Sequence, residues 1–320
     1  MSKFIHVTTK TIPTFKFVEE QFKQLIEPIY GEQSKQLAKI DNDRNCELYY
    51  QTTPLLSSTP SGLLIYKKDL VSEYNVSDAI EIKTLFVVDP EKNSGKGIGK
   101  ELLFRVFAYA YHMKANNILV TVSKDKEDSV AFFKKFGFTI KRECKDMYKK
   151  GSTEYIFAKE IISHTVPIYG EYFNMIKNKT KTKEGRTNSP MFKNLKPHEF
   201  ITFDNKREQI LVYVDRVKDY STFESMLKDG GLKAYLPNTD TIANGVSLYK
   251  AIPRYSENEK KYGVVGIEFT MINKYSNIIS NDNNEIKKTI SSTLLSSSNI
   301  KRKRNHDDDD NDINIIKKIK

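Results

Sequence analysis

The stretch DPEKNSGKGIGKELL, residues 89–103, places three glycines at alternate positions between an apolar run and a helix-like run. Backbone without side chains at a helix N-terminus suits an anion, because N–H groups converge there and the helix dipole adds partial positive charge. The spacing does not meet the pattern G-x-x-x-x-G-K-[ST] of a phosphate-binding loop. A dinucleotide-binding turn would need a further small residue three positions after Gly99, which is absent. The stretch therefore predicts another kind of anion site at a strand–helix junction.

The sequence on both sides of this stretch predicts alternating strands and helices up to about residue 160. Strands are predicted at 46–53, 62–70, 79–88, 117–123 and 153–161, and helices at 17–31, 97–113 and 128–136. After about residue 166 we predict helices at 171–183 and 222–231 and strands at 199–203, 209–217 and 262–272. This order indicates two α+β units.

Length and composition limit the class of protein. A chain of 320 residues is long for one small domain, and its two cysteines, Cys46 and Cys144, supply neither a zinc site nor a disulfide framework. No signal peptide and no apolar run of membrane-spanning length is present. We therefore expect an intracellular protein, cytoplasmic or nuclear, without a metal or a membrane partner. The net charge of +11 fits a polyanionic partner or an acidic cofactor, but a lysine-rich codon bias would also produce it.

Two blocks together resemble the GNAT superfamily of N-acetyltransferases. The first is the loop SGKGIG, residues 94–99, after a strand ending in Val88-Asp89-Pro90, and the second is the aromatic-rich AFFKKFGF, residues 131–138. The resemblance covers about residues 1–160 and is closest to the histone-acetyltransferase branch. It implies a mixed, mostly antiparallel twisted sheet flanked by helices, with acetyl-CoA as co-substrate.

The resemblance also implies a set of cofactor-binding residues. The backbone around residues 85–88 would pair with the pantetheine arm of acetyl-CoA, and the amides of residues 93–100 would hold its pyrophosphate. Ser94 stands where the family usually has Arg or Gln, so we expect weaker affinity. The cofactor-binding residues expected are Leu85, Phe86, Val87, Val88, Asn93, Ser94, Gly95, Lys96, Gly97, Ile98, Gly99, Lys100 and Phe133.

Glu81 falls where the histone-type branch has its general base, which usually acts through water. The alternative is a structural glutamate on an outward strand face, paired with Lys83. Many relatives carry a tyrosine in the second block that protonates the leaving thiolate, but Phe132 and Phe133 stand there in this chain. Tyrosines on the preceding helix, at positions 109 and 111, are an alternative acid, although core packing also explains them.

The second unit resembles the ASCH domain, a small PUA-like β-barrel. The run IKNKTKTKEGR, residues 176–186, matches the domain's motif except that Lys179 replaces the usual glycine. The resemblance implies an RNA or nucleotide ligand, with Lys181, Glu184 and Arg186 as ligand-binding residues. A Glu–Arg ion pair that closes the barrel is the alternative. Because Glu184 stands where a hydrolase would need a nucleophile, hydrolysis is not expected.

The resulting prediction is an α+β protein with a GNAT domain at 1–162, an ASCH domain at 163–275 and a disordered low-complexity tail at 276–320. The tail carries KRKR, residues 301–304, which could act as a nuclear import signal. The expected activity is acetyl transfer from acetyl-CoA to a protein lysine or N-terminus, with an RNA- or nucleotide-binding module. Two alternatives stay open: acetylation of an RNA base or nucleotide-like small molecule, and an inactive GNAT–ASCH binding protein.

Overall fold

The computed structural model describes residues 3–52 and 58–275. In the first unit the strands are β1 Phe4–Val7, β2 Arg44–Tyr49, β3 Gly62–Lys67, β4 Val71–Glu73, β5 Val76–Val87, β6 Asn117–Ser123, β7 Thr139–Lys145 and β8 Thr153–Glu160. Its helices are α1 Ile12–Leu25, α2 Glu27–Tyr30, α3 Ser34–Leu37, α4 Pro90–Asn93, α5 Ile98–His112 and α6 Glu127–Lys135.

The second unit continues the chain with five strands and six helices. Its strands are β9 Ser163–Pro167, β10 Lys183–Thr187, β11 Phe200–Asp204, β12 Gln209–Tyr220 and β13 Val264–Met271. Its helices are α7 Gly170–Lys177, α8 Pro190–Lys193, α9 Phe223–Gly230, α10 Leu232–Tyr235, α11 Ile242–Lys250 and α12 Tyr255–Tyr262. None of the described helices combines the length and hydrophobicity needed to cross a membrane.

The first sheet has the order β1-β2-β3-β5-β6-β8-β7, with β4 paired to β5. All its pairings are antiparallel except that of β5 with β6. On one face α5 buries side chains such as Leu102, Val106 and Phe107, and on the other α1 buries Val18 and Phe22. This confirms the predicted mixed, mostly antiparallel sheet flanked by helices.

The second sheet has the order β10-β13-β12-β11-β9 and curls into a half-barrel. Val166, Phe173, Ile201, Val212 and Ile267 belong to its buried core. The predicted helix over 171–183 is too long, because α7 ends at Lys177 and β10 begins at Lys183. Lys179 between them has a φ of 62°, which a continuing right-handed helix does not allow. Helices α11 and α12 were not predicted.

One hydrophobic cluster spans the two units, in addition to the separate core of the second sheet. Phe104 and Phe107 of α5 pack against Tyr213 of β12, and Phe107 also packs against Phe200 of β11. At Gly137 an added Cβ would lie only 2.6 Å from the Cβ of His198, so the glycine lets the second unit approach α6 closely. The predicted boundary at residues 162 and 163 lies between β8 and β9, and the predicted tail lies outside the described residues.

Lys159 of β8 is buried in this shared cluster. Its Nζ donates a hydrogen bond of 2.6 Å to the carbonyl oxygen of His198 and lies 5.3 Å from the centre of the Phe200 ring. No described carboxylate forms a salt bridge with it. Burial lowers the pKa of Lys159 from 10.5 to about 8.

This burial predicts a pH-dependent stability. Between pH 8 and 10.5 the unfolded chain binds the Lys159 proton while the folded chain has released it, so the free energy of unfolding rises with pH in this window. The contribution is about 3 kcal/mol across the window. Lys159→Met should flatten the rise, whereas Lys141→Met, which removes an exposed lysine, should keep it. Urea unfolding at several pH values measures this, and an unchanged slope in Lys159→Met would contradict it.

Candidate functional site

The parallel pair β5–β6 separates partway along its length. Pairing covers only residues 79–82 of β5 with 117–120 of β6. Beyond Ile82 no described strand pairs with β5 on that side, while on its other side β5 remains paired with β3 up to Val87. A bulge in the β3 pairing falls at Lys83, where the two strands part. The edge of β5 that faces away from β3 is therefore unpaired over residues 83–87 and borders the cleft between the separated strands, where the predicted residues Leu85, Phe86 and Val87 lie. The N–H of Val88 is already bonded to the Ser61 carbonyl at 2.9 Å.

The glycine loop follows this cleft directly. Gly95 and Gly97 both have a φ of 74°, a conformation that side chains disfavour, and α5 begins at Ile98. Within the described residues, the N–H groups of residues 95–100 form no hydrogen bond, whereas those of Asn93 and Ser94 bond to Asp89 and Pro90. Six free amides at the positive end of a 15-residue helix form an anion site. These features fit a pyrophosphate, and the unpaired strand fits an extended amide-containing arm.

Side chains around the loop hold its shape. Asn93 Nδ2 donates to the Val88 carbonyl at 2.7 Å, and its Oδ1 accepts from Gln51 Nε2 at 2.8 Å. An added Cβ at Gly99 would lie 3.2 Å from the Phe132 ring, so this glycine lets α6 approach the loop. Phe133, which was predicted to bind the cofactor, is buried against Phe138 and Phe157. Phe132 is the residue that lies against the loop.

The predicted loop residue Lys100 also connects the loop to the second unit. Its Nζ donates to Thr270 Oγ1 at 3.1 Å and lies 3.9 Å from Asp215 Oδ1. Thr270 in turn donates to Asp215 at 2.7 Å. The Lys100 side chain therefore bonds to strands β12 and β13. The free backbone N–H of Lys100 is the group that faces the anion site. Lys96, by contrast, is exposed, and its Nζ donates to Asn93 Oδ1 at 3.5 Å.

Glu81 lies in the last paired part of β5, opposite Leu119 of β6. It is 3% exposed, and its Oε1 is 2.7 Å from Lys83 Nζ. The ion pair with Lys83 that formed part of the structural alternative is present, but the glutamate is buried rather than facing outward. Glu81 lies next to the point where β5 and β6 separate. An acid–base group in this position is close to the cleft.

A group of three neighbouring residues, Tyr30, Ser123 and Glu154, was not predicted from the sequence. Tyr30, at the end of α2, has its pKa raised by partial burial and by the carboxylate of Glu154. Glu154 of β8 is 2% exposed, forms no salt bridge in the described chain, and has its pKa raised by burial. Ser123, opposite Glu154, donates to Asp125 at 3.0 Å. No motif marks these residues, because they meet only when the sheet forms.

The tyrosines considered as proton donors have other roles. Tyr109 donates to the carbonyl of Lys68 at 2.6 Å, and the hydroxyls of Tyr111 and Thr202 are 2.8 Å apart. Tyr109 therefore bonds within the first unit, whereas Tyr111 contributes to the contact between the units. Among the described residues, no group of three or more His, Cys, Asp or Glu side chains could hold a metal ion.

The residues predicted for the second unit form one buried cluster. Glu184 accepts from Arg186 Nε at 2.7 Å and lies 3.0 Å from Lys181 Nζ. Burial alone would raise the pKa of Glu184, but the two cations beside it lower it. The cluster lines a cavity of about 540 Å³. The structure therefore contains both the Glu184–Arg186 ion pair and a cavity beside it that could hold a ligand.

Comparison with known proteins agrees with these features. The family model described as acetyltransferase (GNAT) domain matches residues 16–156, and the model described as ASCH domain matches 166–273. The GNAT domain makes the chain an acetyl-CoA-dependent N-acetyltransferase. An ASCH domain follows the acetyltransferase domain in the same chain.

Several solved structures are similar to parts of the chain. The hypothetical protein PH0355 is 33% identical over 35% of this chain and 100% of its own, with a TM-score of 0.33. Protein PF0455 from Pyrococcus furiosus is 31% identical over 35% of this chain and 98% of its own, with a TM-score of 0.31. NAA60 of Arabidopsis thaliana, solved with a bisubstrate analogue, is 19% identical over 49% and 97%, with a TM-score of 0.42. No curated protein matches the chain significantly.

A matched pair of glycine substitutions tests the loop. Gly97→Ala forces a side chain into a left-handed conformation that costs about 1 kcal/mol, so we expect the loop to relax and the Kd of acetyl-CoA to rise roughly 5-fold. Gly151→Ala also places a side chain at a positive φ, 83°, with equally open surroundings, but it lies outside the loop. Calorimetric titration of acetyl-CoA compares the two. Equal Kd values would show that the loop does not bind the donor.

Proposed function

We propose that this enzyme acetylates an amine of a protein, either a lysine side chain or an N-terminus, and that Glu81 is its general base. The observation that supports this most is the separation of β5 from β6 directly before six free amides. This arrangement lets a thioester lie along β5 while an amine approaches from the side of Tyr30 and Glu154. An intracellular location, cytoplasmic or nuclear, belongs to the same proposal.

In this mechanism the chain has three tasks. The amides of residues 95–100 hold the pyrophosphate, and the free edge of residues 83–87 aligns the arm that carries the acetyl group. Glu81, directly or through water, takes the proton that the amine loses as its nitrogen bonds to the acetyl carbon. The C–S bond then breaks, and the thiolate of coenzyme A leaves. Lys83 keeps the carboxylate of Glu81 oriented by its ion pair.

We also propose that the ASCH domain binds RNA or a nucleotide through the cavity lined by Lys181, Glu184 and Arg186. The cavity supports this, because concave sites with apolar walls and a few convergent polar groups are typical of ligand binding. The same cavity favours a second candidate for the acceptor, an RNA base or a nucleotide-like small molecule that the ASCH domain presents.

Transfer of label from acetyl-CoA to separate pools of cellular protein, total RNA and polyamines tests the acceptor. Label in protein that disappears with Glu81→Gln supports the first proposal, and mass spectrometry then distinguishes lysines from N-termini. Label in RNA supports the second candidate instead. If acetyl-CoA binds and none of the three pools is labelled, the acceptor proposal is wrong for both protein and RNA.

A further inference from the structure

Two strands of the second unit present three side chains to the first turns of α5, where the glycine loop ends. Tyr213 of β12 and Thr270 of β13 are opposite each other in the ladder, so their side chains lie on the same face of the sheet. Between Val214 and Arg216 the register of β12 shifts, and Asp215 is the bulged residue that stays out of the ladder. Bulges redirect side chains. Here Asp215 is bonded to Thr270, whose hydroxyl donates to Asp215 Oδ2 at 2.7 Å.

These side chains hold Lys100 in the first turn of α5. The Nζ of Lys100 donates to Thr270 Oγ1 at 3.1 Å and lies 3.9 Å from Asp215 Oδ1. It also lies 5.0 Å from the centre of the Phe104 ring, and Phe104 packs on Tyr213 at 5.2 Å between ring centres. The start of α5 is thus fixed to the second unit by a hydrogen bond, an ion pair and an aromatic contact.

The same sheet also supports α6, the helix on the other side of the loop. Phe136, at the C-terminal end of α6, packs against Tyr213 at 6.1 Å between ring centres, and Phe132 packs against Phe136 at 5.0 Å. The Phe132 ring in turn lies 3.2 Å from the position of a Cβ added to Gly99. Contacts of Tyr213 therefore reach the loop through both helices that border it.

The glycine loop depends on such external contacts because its own sequence leaves it free. Glycine loses more conformational freedom on ordering than any other residue, and residues 94–99 alternate glycine with other residues. Asn93, bonded to the Val88 carbonyl at 2.7 Å, holds the start of the loop, and the buried Ile98 and the bonded Lys100 hold its end. Amides that are fixed before an anion arrives bind it more tightly, because binding does not then have to order them.

We propose that Thr270 and Asp215 are positioning residues of the acetyl-CoA site. By holding Lys100 they fix the first turn of α5, and with it the backbone N–H groups that bind the pyrophosphate. The ASCH domain is then a structural part of the donor site, besides any ligand of its own. This inference rests on the proposed role of the loop amides, and it adds residues that act through Lys100 rather than on the cofactor.

Thr270→Val tests the proposal, because valine keeps the shape of the side chain but lacks the hydroxyl that bonds Lys100 and Asp215. In calorimetric titration of the full chain with acetyl-CoA we expect the Kd to rise roughly 3-fold, less than the most that one hydrogen bond contributes, since Phe104 still packs on the second unit. Thr270→Ser retains the hydroxyl and should keep the Kd of the unaltered chain. An unchanged Kd in Thr270→Val, or an equal rise in Thr270→Ser, would overturn the proposal.

Thr202→Val is the matched control. It also removes a threonine hydroxyl that bonds α5 to the second unit, since the hydroxyls of Thr202 and Tyr111 are 2.8 Å apart. Tyr111 lies near the C-terminal end of α5, far along the helix from the loop. The Kd of acetyl-CoA should therefore stay unchanged in Thr202→Val. A rise equal to that in Thr270→Val would assign the effect to the interface as a whole and overturn the proposal.

Two further variants test the route through Lys100. Adding Thr270→Val to Lys100→Met should raise the Kd no further, because the ammonium that Thr270 holds is already gone, whereas effects that multiply would exclude Lys100 as the link. Asp215→Asn should raise the Kd about 2-fold, since a partly exposed ion pair contributes little. Tighter binding in Asp215→Asn would mean that Asp215 competes with the pyrophosphate for Lys100, and would overturn its role.

Gly97→Ala distinguishes a failure of this inference from a failure of the proposed role of the loop. If Gly97→Ala raises the Kd and Thr270→Val does not, the loop binds the donor without support from the second unit, and the inference alone is wrong. If neither variant changes the Kd, the loop does not hold the pyrophosphate, and both proposals are wrong.

Discussion

Replacing Glu81 with glutamine is expected to lower kcat for acetyl transfer by about 10²- to 10⁴-fold, the usual contribution of a positioned general base. Glutamine keeps the size of the side chain but cannot take a proton from the amine. The Kd of acetyl-CoA should stay within about 2-fold, because Glu81 lies in the paired part of β5, before the free strand edge and the loop. Steady-state kinetics with the labelled acceptor and titration of acetyl-CoA give the two quantities.

Lys83→Met separates catalysis from structure in this experiment. It breaks the same ion pair, whose Nζ–Oε1 distance is 2.7 Å, but leaves the carboxylate in place. If Glu81 is the base, kcat should fall far more in Glu81→Gln than in Lys83→Met, although Lys83→Met, which leaves a buried carboxylate without its cation, should lower the melting temperature more. Comparable losses in the two variants would assign Glu81 to an ion pair that holds the strand. Full turnover in Glu81→Gln would exclude it as the base while leaving the GNAT assignment intact.

The glycine loop could be predicted from the sequence because the residues that form it are adjacent along the chain. Gly95 and Gly97 have left-handed backbone conformations, and α5 begins at the next residue, Ile98. Consecutive residues of the sequence therefore form the whole loop. For the second unit, the resemblance of several stretches to the ASCH domain implied a small β-barrel, and the sheet that forms is a curled half-barrel. The sequence did not show that the amides of Asn93 and Ser94 are already bonded, because the short helix α4 that supplies or follows their acceptors has four residues and no sequence pattern of its own.

Other features depend on contacts between distant segments. The Lys100 side chain contacts Thr270 and Asp215, which lie 170 and 115 residues away in the sequence, respectively. Nothing in the loop sequence indicates that the second unit contacts the helix that begins there. Such features follow from tertiary packing, which periodicity and motifs do not encode.

Breaking the buried ion pair between Glu47 and Arg105 should strongly destabilise the acetyltransferase domain. Glu47 of β2 is 1% exposed and accepts from Arg105 Nε at 2.6 Å and Nη2 at 2.8 Å, while the Tyr66 hydroxyl donates to it at 3.1 Å. Arg105→Met leaves a buried carboxylate without its cation, so we expect the free energy of unfolding to fall by about 3–5 kcal/mol.

A double-mutant cycle distinguishes the charge from the packing. Adding Glu47→Gln to Arg105→Met removes the uncompensated carboxylate, so the double variant should recover a large part of the loss, since replacing both partners of a buried pair is often nearly neutral. Chemical denaturation of the four proteins, followed by circular dichroism, gives the coupling energy. If the losses of the two single variants simply add, Arg105 stabilises the domain through its packing on Phe4 and Tyr275 rather than through its charge. Its guanidinium carbon lies 5.3 Å from the ring centre of Phe4 and 4.1 Å from that of Tyr275. Because Arg105 lies on the helix that begins in the glycine loop, a strong coupling would also identify this pair as the anchor that fixes that helix, and with it the anion site, to the sheet.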